Sequence, residues 1–566
     1  MRVVVVPGED GGGRAVVSGD AAPGGGGGGE VGEVGEVGEV TEVADLAGWM
    51  GELERRVGPR WVVPSLAEVY PALLRAGVRL GRCHDLGLAE AILLAFEERA
   101  GRPRNVAAAW ARPRGLPEPE DAKPQARGEQ PALFEADRRT TPAGADPVAQ
   151  AVDVLADQER RIAGTARPDL LRLLVAAESA GGLAAAEMTH FGLPWRVDVH
   201  LDLLVSSLGP RPAPGARPAR LAELAARISA AFSGRPINPD HPPSIVKAFA
   251  REGIEVDSAR AWVLKGVEHP AVEPLLAYKE LARLWAAHGW SWLDSWVEGG
   301  RFRPDYVVGG VVSGRWATRG GAALQLPKVL RTAVRADPGW ALVVADAAQL
   351  EPRVLGALSG DPRFAEVAAG DDLYAGVAAD AFDGDRDRAK TAMLSAMYGG
   401  TSGPAGALLA VLRKRFPVAV EYVEQAARAG EAGRVVRSRL GRTSPPPSEA
   451  WQERVSASGD EGVERRARLA ARDWGRFTRN FVVQASAADW ALAMLASLRR
   501  RLLGETAEIV FFQHDEVIVH CPAEVAPLVA AEVEAAALEA SRLVFAGAVV
   551  QFPLAASIVD SYADAK

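Results

Sequence analysis

Cysteine is almost missing from this 566-residue chain. Cys83 and Cys521 are its only two, far apart in sequence. They are too few for a disulfide framework and lack the spacing of a metal site, so a reduced cytoplasmic setting is expected. No run of roughly 18 apolar residues occurs, so no transmembrane helix is expected. The N-terminal Met1-Arg2-Val3-Val4-Val5-Val6-Pro7 is too short for the apolar core of a signal peptide. Lysine is scarce, 8 residues against 57 arginines. A GC-rich genome and phosphate binding explain that bias equally well.

What is present is ample. At 48% hydrophobic and 24% charged, the chain has material for several domain cores. Its net charge of −8 argues against a uniformly basic nucleic-acid binder. The charge is uneven, however. Arg386 to Arg479 holds 18 Lys+Arg against 10 Asp+Glu, a net of +8 that leaves −16 on the remainder. A basic region on an acidic protein fits a polyanion in one cleft, and equally a solvated helical surface.

Residues 8 to about 44 are Gly-rich and repeat Glu-Val-Gly, which predicts a flexible, unpacked segment. Residues 45–110 read as a small α/β unit, with a strand at Arg60–Val63 and helices at Leu66–Ala76 and Leu86–Arg99. Residues 111–147, rich in Pro and charge, read as a linker. Helical periodicity dominates 148–300, including one helix from Tyr278 to Trp292. Strands are predicted at 307–312, 341–346, 508–513 and 516–520, with long helices between them.

Two of those strands end in acids. Leu342-Val343-Val344-Ala345-Asp346 is followed by Gln349, Glu351 and Arg353, and Pro352 fits the first turn of a helix. Gln513-His514-Asp515-Glu516 lies between two apolar runs, the pattern of a tight hairpin. A lone Asp at a strand end is more often a helix cap. A pair of strand-borne Asp residues, Asp346 and Asp515, instead suits two metal ions and phosphoryl transfer. Between them, Arg386, Lys390, Leu394 and Tyr398 recur every four residues and share a helix face. Two cations, an apolar residue and a ring match a triphosphate at one end and a base at the other, although a solvated amphipathic helix has the same pattern. Arg476, Asn480 and Gln484 share another face, which suits either minor-groove acceptors or helix-helix hydrogen bonds.

In order and spacing these segments resemble the family-A DNA polymerases, the bacterial DNA polymerase I group. The likeness runs from about Val312 to the C-terminus. It includes Ser313-Gly314-Arg315, Leu324-Gln325-Leu326-Pro327, the Asp346 segment, Leu358-Ser359-Gly360-Asp361, Arg386 to Gly399, Leu440-Gly441-Arg442, Asn480 to Asp489 and His514-Asp515-Glu516. The resemblance implies an α+β multidomain fold, a right-hand polymerase with palm, fingers and thumb beside a small α/β exonuclease-like N-terminal domain. The implied division is 1–110 exonuclease-like, 111–147 linker, 148–312 helical connector and thumb, 313–361 and 480–566 palm, and 362–479 fingers.

The same resemblance implies two Mg²⁺ ions held by Asp346, the Ala347 carbonyl and Asp515, with Glu516 in support. Glu351 would exclude a ribose 2′-hydroxyl. Arg386 and Lys390 would bind the triphosphate and Tyr398 would sit by the nascent pair, with Leu394 beside them. Gln349 and His514 would border the nucleotide and primer end. Arg315, Arg476, Asn480 and Gln484 would hold DNA. The implied partners are primer-template DNA and dNTPs, with no membrane, for a monomer in the cytoplasm near the nucleoid.

Three positions depart from the family pattern. Leu394 stands where an aromatic is usual, Ala347-Ala348 replaces Tyr-Ser, and Pro352 replaces an apolar residue. Arg60 to Glu97 resembles a remnant of a proofreading 3′–5′ exonuclease. Its first strand, Val3 to Pro7, lacks an Asp-x-Glu pair, and Glu9 and Asp10 follow in Gly-rich sequence. Proofreading is therefore not expected, nor is a flap-nuclease domain ahead of it. The reading is a template-directed DNA polymerase in replication or repair. Its alternatives are a non-catalytic clamp on DNA ends, a proofreading nuclease opposed by the missing acids, and an RNA polymerase opposed by Glu351.

Overall fold

The structure, a computed structural model, describes residues 1–8, 11–18, 39–122, 146–399 and 404–565. It divides into two compact units. The first comprises Met1–His190, Tyr306–Ala317 and Val343–Ile558; the second comprises Phe191–Asp305, Thr318–Leu342 and Val559–Lys566.

The first unit begins with a five-stranded sheet in the order Thr41–Val43, Gly13–Ser18, Arg2–Pro7, Arg60–Val63, Arg82–Asp85. Arg2–Pro7 pairs antiparallel with Gly13–Ser18 and parallel with Arg60–Val63. Strand residues alternate between faces. Val3, Val5, Trp61 and Val63 pack on Leu66, Tyr70 and Leu73, whereas Val4, Val16 and Val62 pack on Leu86, Ala109 and Ala151. Burial on both faces explains the unbroken valine run at the N-terminus.

The expected unpacked segment is thus partly structured. Gly13–Ser18 and Thr41–Val43 are strands, because Ala15 and Val16 have buried faces to fill. The rest of the Gly-rich stretch, with Glu9 and Asp10, lies outside the described residues. The expected linker is also packed at its start. Arg112 reaches Glu90 and Glu118 (2.6 and 2.9 Å), and Asp121 accepts from the Arg104 and Asn105 backbones. Asp146 then caps the helix Pro147–Ala163, and 123–145 are outside the described residues.

A second sheet runs in the order Glu508–Gln513, Glu516–Pro522, Trp340–Ala347, Leu554–Val559. The two strands carrying Asp346 and following Asp515 are therefore its centre. Tyr306 guards the outer strand: its hydroxyl donates to the Phe512 carbonyl and accepts from the Phe512 N–H, both at 3.1 Å. The strand predicted at 307–312 shrinks to Tyr306–Val307, because Gly309 turns the chain at φ +61°. The helix Glu461–Arg501 spans 41 residues and is capped by Asp460. It contains a window apolar enough to cross a membrane, but 89% of that window is buried within the protein, as in a core helix.

One buried joint ties the first sheet to this helix. Arg499 donates to Glu187 (2.6 Å), Tyr70 (3.2 Å) and the carbonyls of Leu80 and Gly81. Burial opposes the Glu187 charge, but Arg499 and Arg79 outweigh it and hold its pKa below the ordinary value.

The second unit is mainly helical. The expected Tyr278–Trp292 helix is two, Val272–His288 and Trp290–Trp296. Gly289 breaks it: its backbone is extended, and a Cβ there would lie 2.3 Å from the Trp285 carbonyl oxygen. Trp195, His200, Trp292 and Phe302 form the aromatic core. His200 accepts from Trp195 at Nδ1 and donates from Nε2 to the His288 carbonyl (3.3 and 2.9 Å), which fixes a neutral tautomer.

Burial lowers the pKa of His84, His200 and His288 to about 4 each. The unfolded chain therefore takes up these protons first, from about pH 6.5 downward. Folding stability should fall as pH drops from 6.5 towards 4, by at most about 1.4 kcal/mol per pH unit for each histidine. Urea unfolding followed by tryptophan fluorescence measures this, and His200→Gln should flatten the curve. A parent curve level across that window would contradict it.

Candidate active site

Local pairing brings the two acidic strand ends side by side. The Ala347 N–H donates to the Asp515 carbonyl at 3.2 Å. Gln513 pairs with Glu516, so His514 and Asp515 alone make the turn. His514 carries φ +59° to achieve it. Asp346 and Asp515 are half-buried, His514 is exposed, and Glu516 and Ala347 are buried. Hard carboxylate oxygens on rigid, partly open strand ends fit Mg²⁺, whose other positions are commonly water and phosphate. Among the described residues, no group of three or more His, Cys, Asp or Glu side chains is gathered for a metal. The chain thus offers an Asp pair, with Glu516 buried beneath it.

Arg315 stands at the centre of the neighbouring polar cluster. It forms an ion pair with Glu351, whose other oxygen accepts from the Tyr398 hydroxyl at 2.6 Å. Burial lowers the Arg315 pKa, and the charges of Tyr398 and Asp515 oppose that shift. Although the His514 residue is exposed overall, partial desolvation of its imidazole by the surrounding site lowers its pKa, and Arg315 adds to the effect. Gly314, at φ +84°, makes this placement feasible: a Cβ there would meet Arg442 at 2.2 Å. Arg442 itself is buried between Glu178 (2.8 Å) and Asp489 (3.2 Å). Three motifs distant in sequence, around Gly314, Arg442 and Asp489, thus form one joint.

The helix Arg386–Tyr398 starts at the Asp385 cap and ends at Gly399, φ +79°. Ala389, Ala392, Met393, Ala396 and Met397 face the core. Arg386, Lys390 and Tyr398 are exposed on the other side and Leu394 is half-buried. Gln349, at φ +57°, precedes the helix Leu350–Ser359 that carries Glu351. Its amide donates to Asp372 (2.8 Å) and accepts from the Leu373 N–H (2.8 Å), and Asp372 also accepts from Arg386 (2.8 Å). Arg476 is exposed and pairs with Asp473, while Asn480 and Gln484 are half-buried farther along the same helix.

Two participants were not assigned from sequence. Asp372 joins Gln349 to Arg386. Arg353 is fully buried and donates to five backbone carbonyls: Ala348, Ala368, Gln551, Gly370 and Asp371. Ala348 lies two residues after Asp346, and Asp371 precedes Asp372. Arg353 therefore fixes both the end of the acidic strand and the loop that presents Asp372. An arginine flanked by Pro352 and Val354 was the available signal, since a cation in an apolar helical run must find acceptors.

A family model described as DNA polymerase family A matches residues 242–558. DNA polymerase I of Chloroflexus aurantiacus is 27% identical over 287 residues, 45% of this chain and 28% of that protein. The thermostable DNA polymerase I of Thermus aquaticus is 26% identical over 306 residues, 48% of this chain and 35% of that protein. The matched region spans only about a third of each curated relative. A solved structure of the polymerase domain of Pol1 from M. smegmatis, in complex with DNA primer-template and dNTP, shares this fold. Its TM-score is 0.69 at 20% identity, covering 92% of this chain and 88% of that one.

Lysine at position 353 would keep the charge but has only three donors. Arg353→Lys should therefore lower stability by about 2–5 kcal/mol, as at least two carbonyls lose their partner. Urea unfolding checks this, and a change below about 0.5 kcal/mol would contradict the anchoring role.

Proposed function

Since the chain belongs to DNA polymerase family A, we propose that it is a template-directed DNA polymerase that extends a primer 3′ end with dNTPs. The observation that supports this best is the pairing of the Asp346 and Asp515 strand ends, beside an Arg315 that feels the charge of Asp515 and is joined to Glu351 and, through it, Tyr398. A binding protein without chemistry has no use for two adjacent aspartates, because unneutralised carboxylates repel phosphate. In this reading the enzyme acts as a monomer in the cytoplasm, in replication or repair.

Asp346, Asp515 and the Ala347 carbonyl would hold two Mg²⁺ ions, supported by Glu516. When bound, such ions lower the pKa of the primer hydroxyl and neutralise charge on the triphosphate. The remaining work belongs to side chains. Arg386 and Lys390 grip the triphosphate, with Arg386 exchanging Asp372 for phosphate. Glu351, braced by Arg315 and Tyr398, stands against a ribose 2′-hydroxyl. Tyr398, Leu394, Gln349 and His514 border the nucleotide. Arg315, Arg476, Asn480 and Gln484 hold the primer-template, where minor-groove acceptors are nearly sequence-blind.

The same proposal assigns no proofreading to the N-terminal domain. Its first strand, Arg2–Pro7, carries no acid. Asp85, at the end of the strand Arg82–Asp85, is buried and accepts from the Leu66 and Leu88 N–H groups. Glu90 is buried against Arg112 and Arg161.

A labelled primer-template with Mg²⁺ and four dNTPs tests both statements. The parent should extend the primer, and Asp346→Asn or Asp515→Asn should reduce extension at least about 10³-fold while DNA binding persists. Binding by the parent without extension would leave the clamp reading. Primer shortening without dNTPs would overturn the absence of proofreading. Glu351→Ala should raise ribonucleotide incorporation relative to dNTPs, read from the ratio of kcat/KM values.

A further inference from the structure

The basic excess between Arg386 and Arg479 is larger than the nucleotide site uses. Much of the remainder lies along one helix. Arg465, Arg468, Arg472 and Arg476 follow one another at intervals of three, four and four in Glu461–Arg501, and all four are exposed. That spacing keeps them on one side of the helix, over about 16 Å from first to last. Asn480 and Gln484 continue the same side.

A close approach fixes where this line crosses the site. A Cβ on Gly399 would lie 2.7 Å from the Arg476 Cγ, so Arg476 stands against the end of the helix that carries Tyr398. On the proposed function, Tyr398 marks the nascent base pair, and Asn480 and Gln484 face duplex on one side of it. The helix then continues past Tyr398 in the opposite direction, where the only DNA left is unpaired template.

We propose that Arg465, Arg468 and Arg472 hold the single-stranded template ahead of the primer terminus. These three guanidinium groups, strung over about 10 Å of helix and leading into Arg476, match an extended phosphate backbone better than a compact anion. The nearby acids offer little competition. Arg468 pairs with Glu464 at 3.3 Å between two exposed side chains, a contact readily exchanged for phosphate. Leu469, half exposed on the same side, offers an apolar surface to an unstacked base.

The inference rests on the polymerase reading, and the test separates the two. Binding of the full chain is measured by fluorescence anisotropy on two primer-templates, one with a single-nucleotide template overhang and one with twelve. Each is titrated at several salt concentrations. The parent should bind the long overhang more tightly, with a log-log salt slope steeper by about 2, as expected for three single-strand phosphate contacts. The triple variant Arg465→Gln, Arg468→Gln, Arg472→Gln should lose that difference while keeping its affinity for the short overhang. The corresponding triple lysine variant should retain the slope. Equal affinity and slope for both DNAs in a parent that extends primers would overturn this inference alone. Equal losses on both DNAs in the glutamine variant would overturn it too. A parent that binds neither DNA would overturn the polymerase reading as well.

Discussion

A buried guanidinium with no ion pair among the described residues lies beneath the candidate site. Arg353 spends its donors on five carbonyl oxygens drawn from three stretches of chain. Burying a cation is costly unless its donors are satisfied, and here backbone dipoles provide that compensation. One side chain thereby sets the exit of the Asp346 strand, the loop ahead of Asp372 and the approach to the last strand. Gln349, Asp372 and Arg386 take their positions from that frame. The triphosphate-binding face proposed for Arg386 and Lys390 consequently depends on a residue that need not touch nucleotide.

Arginine forms the other joints of the first unit too. Arg442 connects Glu178 to Asp489 and packs against Gly314. Arg499 joins Tyr70 and Glu187 to the backbone beyond the first sheet. A sheet whose first strand contains no Asp or Glu is thus bonded to the long helix that also bears Arg476, Asn480 and Gln484. Removing one partner of such a buried ion pair costs about 3–5 kcal/mol, so this joint couples the stability of the sheet to that of the helix.

The legible parts of the chain were those with strong local signals. An apolar run with Asp346 at its end, and another opening just after Asp515, announced the two central strands of the second sheet. Asp385 and Gly399 bracketed the helix between Arg386 and Tyr398. Less legible were features decided by distant partners. Gly13–Ser18 lies next to low-complexity sequence, and its strand character depends on pairing with Arg2–Pro7. Gly289 divides a helix whose apolar periodicity continues across it. The fan of carbonyls around Arg353 comes from residues 348, 368–371 and 551, and no window of sequence contains all three stretches.

These joints share a chemical trait. Guanidinium groups stay protonated at every pH a folded enzyme meets, unlike the ammonium of lysine. With 8 lysines in the whole chain, few cations can be neutralised by alkali or capped by acylating reagents. The framework is therefore asymmetric towards its surroundings. Acid reaches it through carboxylates and buried imidazoles, whereas base and amine-directed chemistry find almost nothing to unlock.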